Sequence, residues 1–165
     1  RKLKSLDVQV IAYDPYVSQK KASQLGVELY ALEDVFQQAD VISLHTPWLP
    51  ETEGMIRGEH IASMKQGATL INTARGAIVR QDELVAVLQQ RPDLYALLDV
   101  TFPEPPEADA PIWKLPNIIV SPHIAGSLDR ECERNGQYVV EELKRYLAGK
   151  PLKYAITQKR AVFMA

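Results

Sequence analysis

Short apolar runs alternate with polar, helix-period stretches along most of the chain. A β-branched run at residues 8–13 ends in Asp14-Pro15, and a polar stretch at 18–25 follows it and stops at Gly26. That pairing predicts a strand and its crossover helix. A short strand is expected at 27–30, a helix at 32–39 with Glu33 and Asp34 in its first turn, and a buried strand at 41–44 that ends before Thr46-Pro47. The rhythm then repeats: helix 58–64 and strand 69–72, helix 81–90 and strand 94–100, and a Pro-rich loop before strand 117–121. The last long element, 128–147, puts Val139, Val140, Leu143 and Leu147 on one face and ends at Gly149-Lys150-Pro151. Strands alternating with helices predict an α/β fold with a mainly parallel sheet and helices on both faces.

Composition narrows this picture. A chain of 165 residues with 46% hydrophobic and 24% charged residues has the make-up of one soluble domain with its own core. The formal charge is -2, and no basic block is present, so nucleic acid is not an expected partner. The longest apolar runs fall well short of the ~20 residues that span a bilayer, and no signal-peptide core opens the chain; neither a membrane nor export is expected, and the expected location is cytoplasmic. A single cysteine, Cys132, excludes an internal disulfide and a cysteine metal cluster, and it is expected to be an ordinary thiol. The three histidines lack metal-ligand spacing, so no metal is expected.

Three stretches carry the chemistry. Ile71 to Gly76, Phe102 to Pro105 and Ser121 to Gly126 each place one ionisable side chain, Arg75, Glu104 or His123, just past an apolar run. The carboxyl ends of parallel strands are where open α/β sheets bind ligands. Arg75 could be an ordinary surface arginine, but at such an edge a guanidinium can grip a carboxylate with two bonds and polarise a neighbouring carbonyl. Glu104 could be a solvated loop acid, or it could orient an imidazole and favour its protonated form. His123 could be a satisfied buried histidine. Taken together at strand ends, the three favour chemistry on a small anionic substrate. Asp14 either starts a turn with Pro15 or accepts hydrogen bonds from the ribose hydroxyls of a dinucleotide, a role that lies ~20 positions beyond a glycine-rich phosphate loop. Counting back places that loop before Arg1, with residues 1–6 as the remnant of its helix, and with no arginine close after Asp14, NAD is expected over NADP. Asp99 could face the cofactor or cap a turn. His45 is expected to pack or hydrogen-bond under the site, His60 to be exposed, and Trp48 and Trp113 to line a pocket or, as the favoured reading, to pack.

With these residues in place, the chain resembles the NAD-binding domain of the D-2-hydroxyacid dehydrogenases over nearly its whole length. The matching segments are residues 10–15, 40–47, 71–76, 98–105 and 121–126. The resemblance implies a Rossmann-type doubly wound fold and an NAD-dependent oxidoreductase that interconverts a small 2-keto acid and a D-2-hydroxy acid. It implies that Arg75 binds the substrate carboxylate and carbonyl, and that Glu104 pairs with His123. His123 would be the general acid and base. It further implies cofactor contacts from Asp14, Thr46, Thr73, Ala74, Arg75, Asp99, His123, Ala125 and Gly126. Formate dehydrogenases look similar but carry glutamine in place of Glu104, so Glu104 points to 2-hydroxy acid chemistry. Relatives are typically homodimers built through this domain, with residues 128–147 or the loop after Pro47 as candidate contacts.

The phosphate loop, the first strand of the nucleotide-binding unit and the substrate domain are not found in the sequence. In the strand order 3-2-1-4-5-6 that first strand is central, lying between the strands at 8–13 and 41–44. A sheet without it exposes two unpaired edges. The expectation is therefore an incomplete NAD-binding domain at 1–150, an arm at 151–165 that packs on a missing substrate domain, and no useful turnover by these residues alone. Directly bonded strands at 8–13 and 41–44 would refute it. A competing reading is a dinucleotide-sensing module, like the transcriptional co-repressors that share this fold and keep the three residues.

Overall fold

Six parallel strands and six α-helices organise residues 2–161, the part of the chain that the computed structural model describes. They form two separate sheets. Strands β1 (Ile11–Ala12) and β2 (Glu28–Leu29) pair in one; β3 (Val41–Leu44), β4 (Thr69–Asn72), β5 (Tyr95–Leu98) and β6 (Ile118–Val120) make the other, in that order. Among the described residues β1 and β3 are not hydrogen-bonded to each other, as expected, and the order β3-β4-β5-β6 is that of one half of a doubly wound sheet.

The helices begin and end where local chemistry dictates. In α1 (Gln19–Leu25) the Ser18 hydroxyl accepts from the Lys21 N–H, and Gly26 closes the helix at φ 70°, a left-handed conformation that glycine adopts without a Cβ penalty. Helix α2 (Leu32–Gln38) carries Glu33 and Asp34 in its first turn, α3 spans Gly58–Ala62, and α4 (Gln81–Gln90) carries Asp82 and Glu83 in its first turn. Ile42, Leu44, Leu70, Ala96, Leu98 and Ile118 alternate along the four strands and share one core with Phe36 of α2, Ile61 of α3 and Leu84, Val85 and Leu88 of α4. On the other face of the sheet Val41, Tyr95 and Ile119 are exposed.

Helix α5 (Arg130–Leu147) carries the expected apolar stripe, yet none of its residues is buried. The Glu142 carboxylate accepts from the Lys153 and Tyr154 N–H groups, so the start of the arm folds back on α5. A short helix α6 (Gln158–Ala161) lies in that arm, where the sequence pattern predicts none. Residues 162–165 of the arm, and Arg1 of the expected helix remnant, lie outside the described residues; Lys2–Ser5 form a 3₁₀ turn. No helix among the described residues is long and apolar enough to cross a membrane.

Two polar side chains tie the helices to the sheet. Arg91 holds Asp93 with two bonds, Nε to Oδ1 at 2.8 Å and Nη2 to Oδ2 at 2.7 Å, and also donates to the Ala62 carbonyl at the end of α3. The buried Asn117 amide donates to the Leu88 and Leu94 carbonyls. The hydrogen bonds from Arg91 hold the Asp93 carboxyl down to about 2 from 3.8. A carboxylate depressed on folding contributes stability above its unfolded value and loses it as pH falls through its folded value. Asp93→Asn is therefore expected to lower the melting temperature near neutrality and to flatten its decline between about pH 4 and pH 2, read by thermal unfolding across that range.

Candidate functional site

Parallel pairing brings the carboxyl ends of β3 to β6 to one edge, and the loops leaving that edge carry the expected residues. Past β4, Thr73 and Arg75 are exposed and Ala74 is half-buried. Arg75 extends from this loop with its Nη1 on the Ala74 carbonyl at 2.6 Å. Gly76 follows in a 3₁₀ turn (Gly76–Ile78) pressed against the chain that leaves β5: a Cβ on Gly76 would lie 2.0 Å from the Thr101 carbonyl carbon and oxygen.

The Glu104 loop is fastened at its start. The Thr101 hydroxyl donates to the Pro103 carbonyl at 2.9 Å, and the Phe102 N–H donates to the side-chain carbonyl of Gln81, the first residue of α4. From that loop Glu104 reaches His123, Oε1 to Nδ1 at 2.6 Å. Both side chains remain nearly half exposed, so the pair is open to a ligand. His123 has φ 53°, a left-handed conformation that costs a residue with a Cβ roughly 1–3 kcal/mol and persists only where neighbours enforce it.

Asp99 supplies that enforcement. Its Oδ1 accepts from the Ser121 hydroxyl (2.6 Å) and the Ile124 N–H (2.9 Å), and its Oδ2 from the Ala125 N–H (2.8 Å). Successive backbone N–H groups converge on the carboxylate as on a bound anion. Burial acts to raise the Asp99 carboxyl, but the Ser121, Ala125 and Ile124 donors and the nearby His123 outweigh it and hold it below the usual carboxylate range. Of the two roles open to Asp99 in the sequence, the geometry displays turn capping.

The remaining expected residues fall as follows. Asp14 is exposed beyond β1, and its Oδ1 accepts from the Tyr16 and Val17 N–H groups, the turn role. Thr46 is half-buried past β3, while Gly126 is exposed past His123, with nothing within 4 Å of where its Cβ would be. The Thr46 hydroxyl, Thr73 to Arg75 and His123 follow the strand ends of the four-stranded sheet, while Asp14 follows β1 of the other sheet.

One expectation about the imidazole side chains is corrected, that for His60. His60 is buried, not exposed, because α3 turns it inward: its ring packs on Phe36, and its Nδ1 accepts the Arg57 N–H at 3.0 Å, satisfying a free donor at the helix start. His45 is exposed and bonded to Ser43 two residues back on the same side of β3. Trp48 and Trp113 are 43% and 49% exposed; Trp48 stacks edge-on against Phe102 and donates to Glu53, and Trp113 donates to the Glu107 carbonyl. Cys132 is an exposed thiol donating to the Ser127 carbonyl. The sequence reading overlooked Asn72, Gln81 and Ser121 as supports of the site. A polar residue closing the apolar run at 69–72 was the one visible signal, at Asn72.

Residues 1–125 match the family model described as "D-isomer specific 2-hydroxyacid dehydrogenase, NAD binding domain". The chain is 37% identical over 157 residues to D-3-phosphoglycerate dehydrogenase of Archaeoglobus fulgidus, covering 94% of this chain and 30% of that protein. It is 38% identical over 149 residues to the D-3-phosphoglycerate dehydrogenase of Mycobacterium tuberculosis, covering 90% and 28%. It thus spans about 30% of the length of these curated relatives. Among solved structures, apo D-mandelate dehydrogenase of Rhodotorula graminis superposes with a TM-score of 0.82 at 27% identity, over 94% of this chain and 46% of that one. D-lactate dehydrogenase of Lactobacillus jensenii with NAD+ superposes at 0.79 and 26% identity, over 95% and 51%.

Proposed function

The chain belongs to the D-isomer specific 2-hydroxyacid dehydrogenase family through its NAD-binding domain, and from that premise we propose that it is the cofactor-binding part of an NAD-dependent enzyme that reduces a small 2-keto acid to the D-2-hydroxy acid. The observation that carries the proposal is the 2.6 Å contact between His123 and Glu104 on an exposed edge that also bears Arg75.

Bound nicotinamide supplies the hydride. The protein's part is to hold the acid and to move a proton. Arg75 presents a planar fork of donors that matches a carboxylate and leaves an N–H for the adjacent keto oxygen. Glu104 accepts from Nδ1 and so directs Nε2 outward, where protonated His123 donates to the oxygen that becomes the hydroxyl. In the reverse direction the neutral ring takes that proton back. Asp14, Thr46, Thr73, Ala74, Ala125 and Gly126 are the residues proposed to hold the cofactor, with Asp14 on the adenosine ribose. Residues 151–165 are proposed as an arm toward a substrate domain, and a homodimer is the proposed assembly.

The test is NADH oxidation by the full-length protein with glyoxylate, hydroxypyruvate, pyruvate and branched 2-keto acids, followed by loss of nicotinamide absorbance. Turnover of at least one acid is expected. If NADH binds and none is reduced, the dehydrogenase reading falls and a dinucleotide-sensing module takes its place.

A further inference from the structure

We propose that Asn72 is a positioning residue that sets the pose of Arg75, and through it the grip on the substrate carboxylate. The inference rests on the role proposed above for Arg75.

Asn72 closes β4 and is 1% exposed. Its side-chain carbonyl accepts from the Ala74 N–H at 3.0 Å, and its side-chain amide donates to the Arg75 carbonyl at 3.0 Å. These partners admit one orientation of the amide, because a carbonyl cannot donate and an N–H cannot accept. One planar group thus fixes the loop on both sides of the Arg75 Cα, at the Ala74 N–H before it and at the Arg75 carbonyl after it. The guanidinium is folded onto the same loop through the Ala74 carbonyl. The main-chain carbonyl of Asn72 accepts from the Asp99 N–H at 2.9 Å, so the support of Arg75 is bonded directly to the support of the His123 loop.

Comparison with Asp99 shows why the two side chains are not interchangeable. The loop around His123 offers Asp99 three donors and no acceptor, which suits an ionised carboxylate. The loop around Arg75 offers one donor and one acceptor, which suits an amide. An ionised carboxylate at position 72 would keep the Ala74 bond and turn the Arg75 carbonyl away. Bidentate recognition of a carboxylate is sensitive to such a displacement, since a shift of about 1 Å at a positioning group can cost ~100-fold in rate.

The test uses the full-length protein with Asn72→Asp, Asn72→Leu, Arg75→Lys and the Asn72→Asp/Arg75→Lys pair. It measures kcat, KM for the best 2-keto acid, the Kd of NADH, and binding of oxamate to the NADH complex. For Asn72→Asp we expect the keto-acid KM and the oxamate Kd to rise about tenfold or more while the NADH Kd stays within about twofold. We expect most of that rise to vanish in the Arg75→Lys background. The Leu variant keeps the bulk and loses both bonds, and should fall at least as far if it folds; the Asp variant, of the same shape, decides the matter if it does not. Unchanged keto-acid KM and oxamate binding, a parallel rise in the NADH Kd, or the same rise in the Arg75→Lys background would each overturn the inference. A wild-type protein that neither reduces a 2-keto acid nor binds oxamate would overturn the proposed function and this inference with it, an outcome visible before any variant is compared.

Discussion

Gly76→Ala is expected to lower the melting temperature by about 6–12 °C or to prevent folding, and to abolish turnover in either case. The Cβ would stand 2.0 Å from the Thr101 carbonyl carbon and oxygen and 2.7 Å from the Phe102 nitrogen, distances no Cβ tolerates. Overpacking ordinarily costs about 1–3 kcal/mol because side chains can move aside. Here every obstacle is main chain, so the cost is expected at about 3 kcal/mol, a large part of the ~5–15 kcal/mol that holds a domain together. At about 2–4 °C per kcal/mol for a domain of this size, that gives the stated shift. The same contact sets function, because the 3₁₀ turn carries Arg75 on one side of the close approach and the chain beyond Thr101 carries Glu104 on the other. A variant that folds by opening this gap would separate the two. Calorimetry and NADH turnover on the same preparation give the answer; a wild-type melting point with wild-type turnover would show that the approach is dispensable.

That steric requirement was not legible in the sequence, and the reason is general. Gly76 has no left-handed backbone to explain it; it is needed because of a segment 25 residues away, which no local pattern encodes. What was legible depends on periodicity. The runs at 41–44 and 69–72 and the helix at 81–90 have the same limits in the structure, because buried parallel strands and an amphipathic helix stamp their period on the chain. The run at 8–13 narrows to Ile11–Ala12, which pair with β2, the one strand partner of β1 among the described residues. Chemistry was legible where a side chain sits in the loop that leaves a strand, as Arg75, Glu104 and His123 do. Supports were not. Asn72, Asp99 and Gln81 act by bonding to main chain of loops whose paths depend on tertiary structure, and His60 looked exposed because burial of a capping ring depends on the neighbouring helix.

His123→Ala is expected to lower kcat for the 2-keto acid by about 10²–10⁴-fold, the usual contribution of a positioned general acid, with the NADH Kd within about twofold of wild type. Loss of activity alone would not separate chemistry from folding, and the backbone of His123 offers a control. At φ 53° a glycine is free of the strain that a Cβ imposes, so His123→Gly is expected to melt at or above the wild-type temperature while losing as much kcat as the alanine variant. Asp99 would still hold the Ile124 and Ala125 N–H groups in both, because those bonds involve no atom of the imidazole. Glu104→Gln keeps an acceptor for Nδ1 and removes the charge, so it should cost less than loss of the ring. Combined with His123→Ala it should add almost nothing, since Glu104 acts on the substrate through the ring it holds at 2.6 Å. Full additivity in that pair would mean that Glu104 works independently of His123. A His123→Gly protein that stays stable and turns over within tenfold of wild type would remove the imidazole from the proposed mechanism.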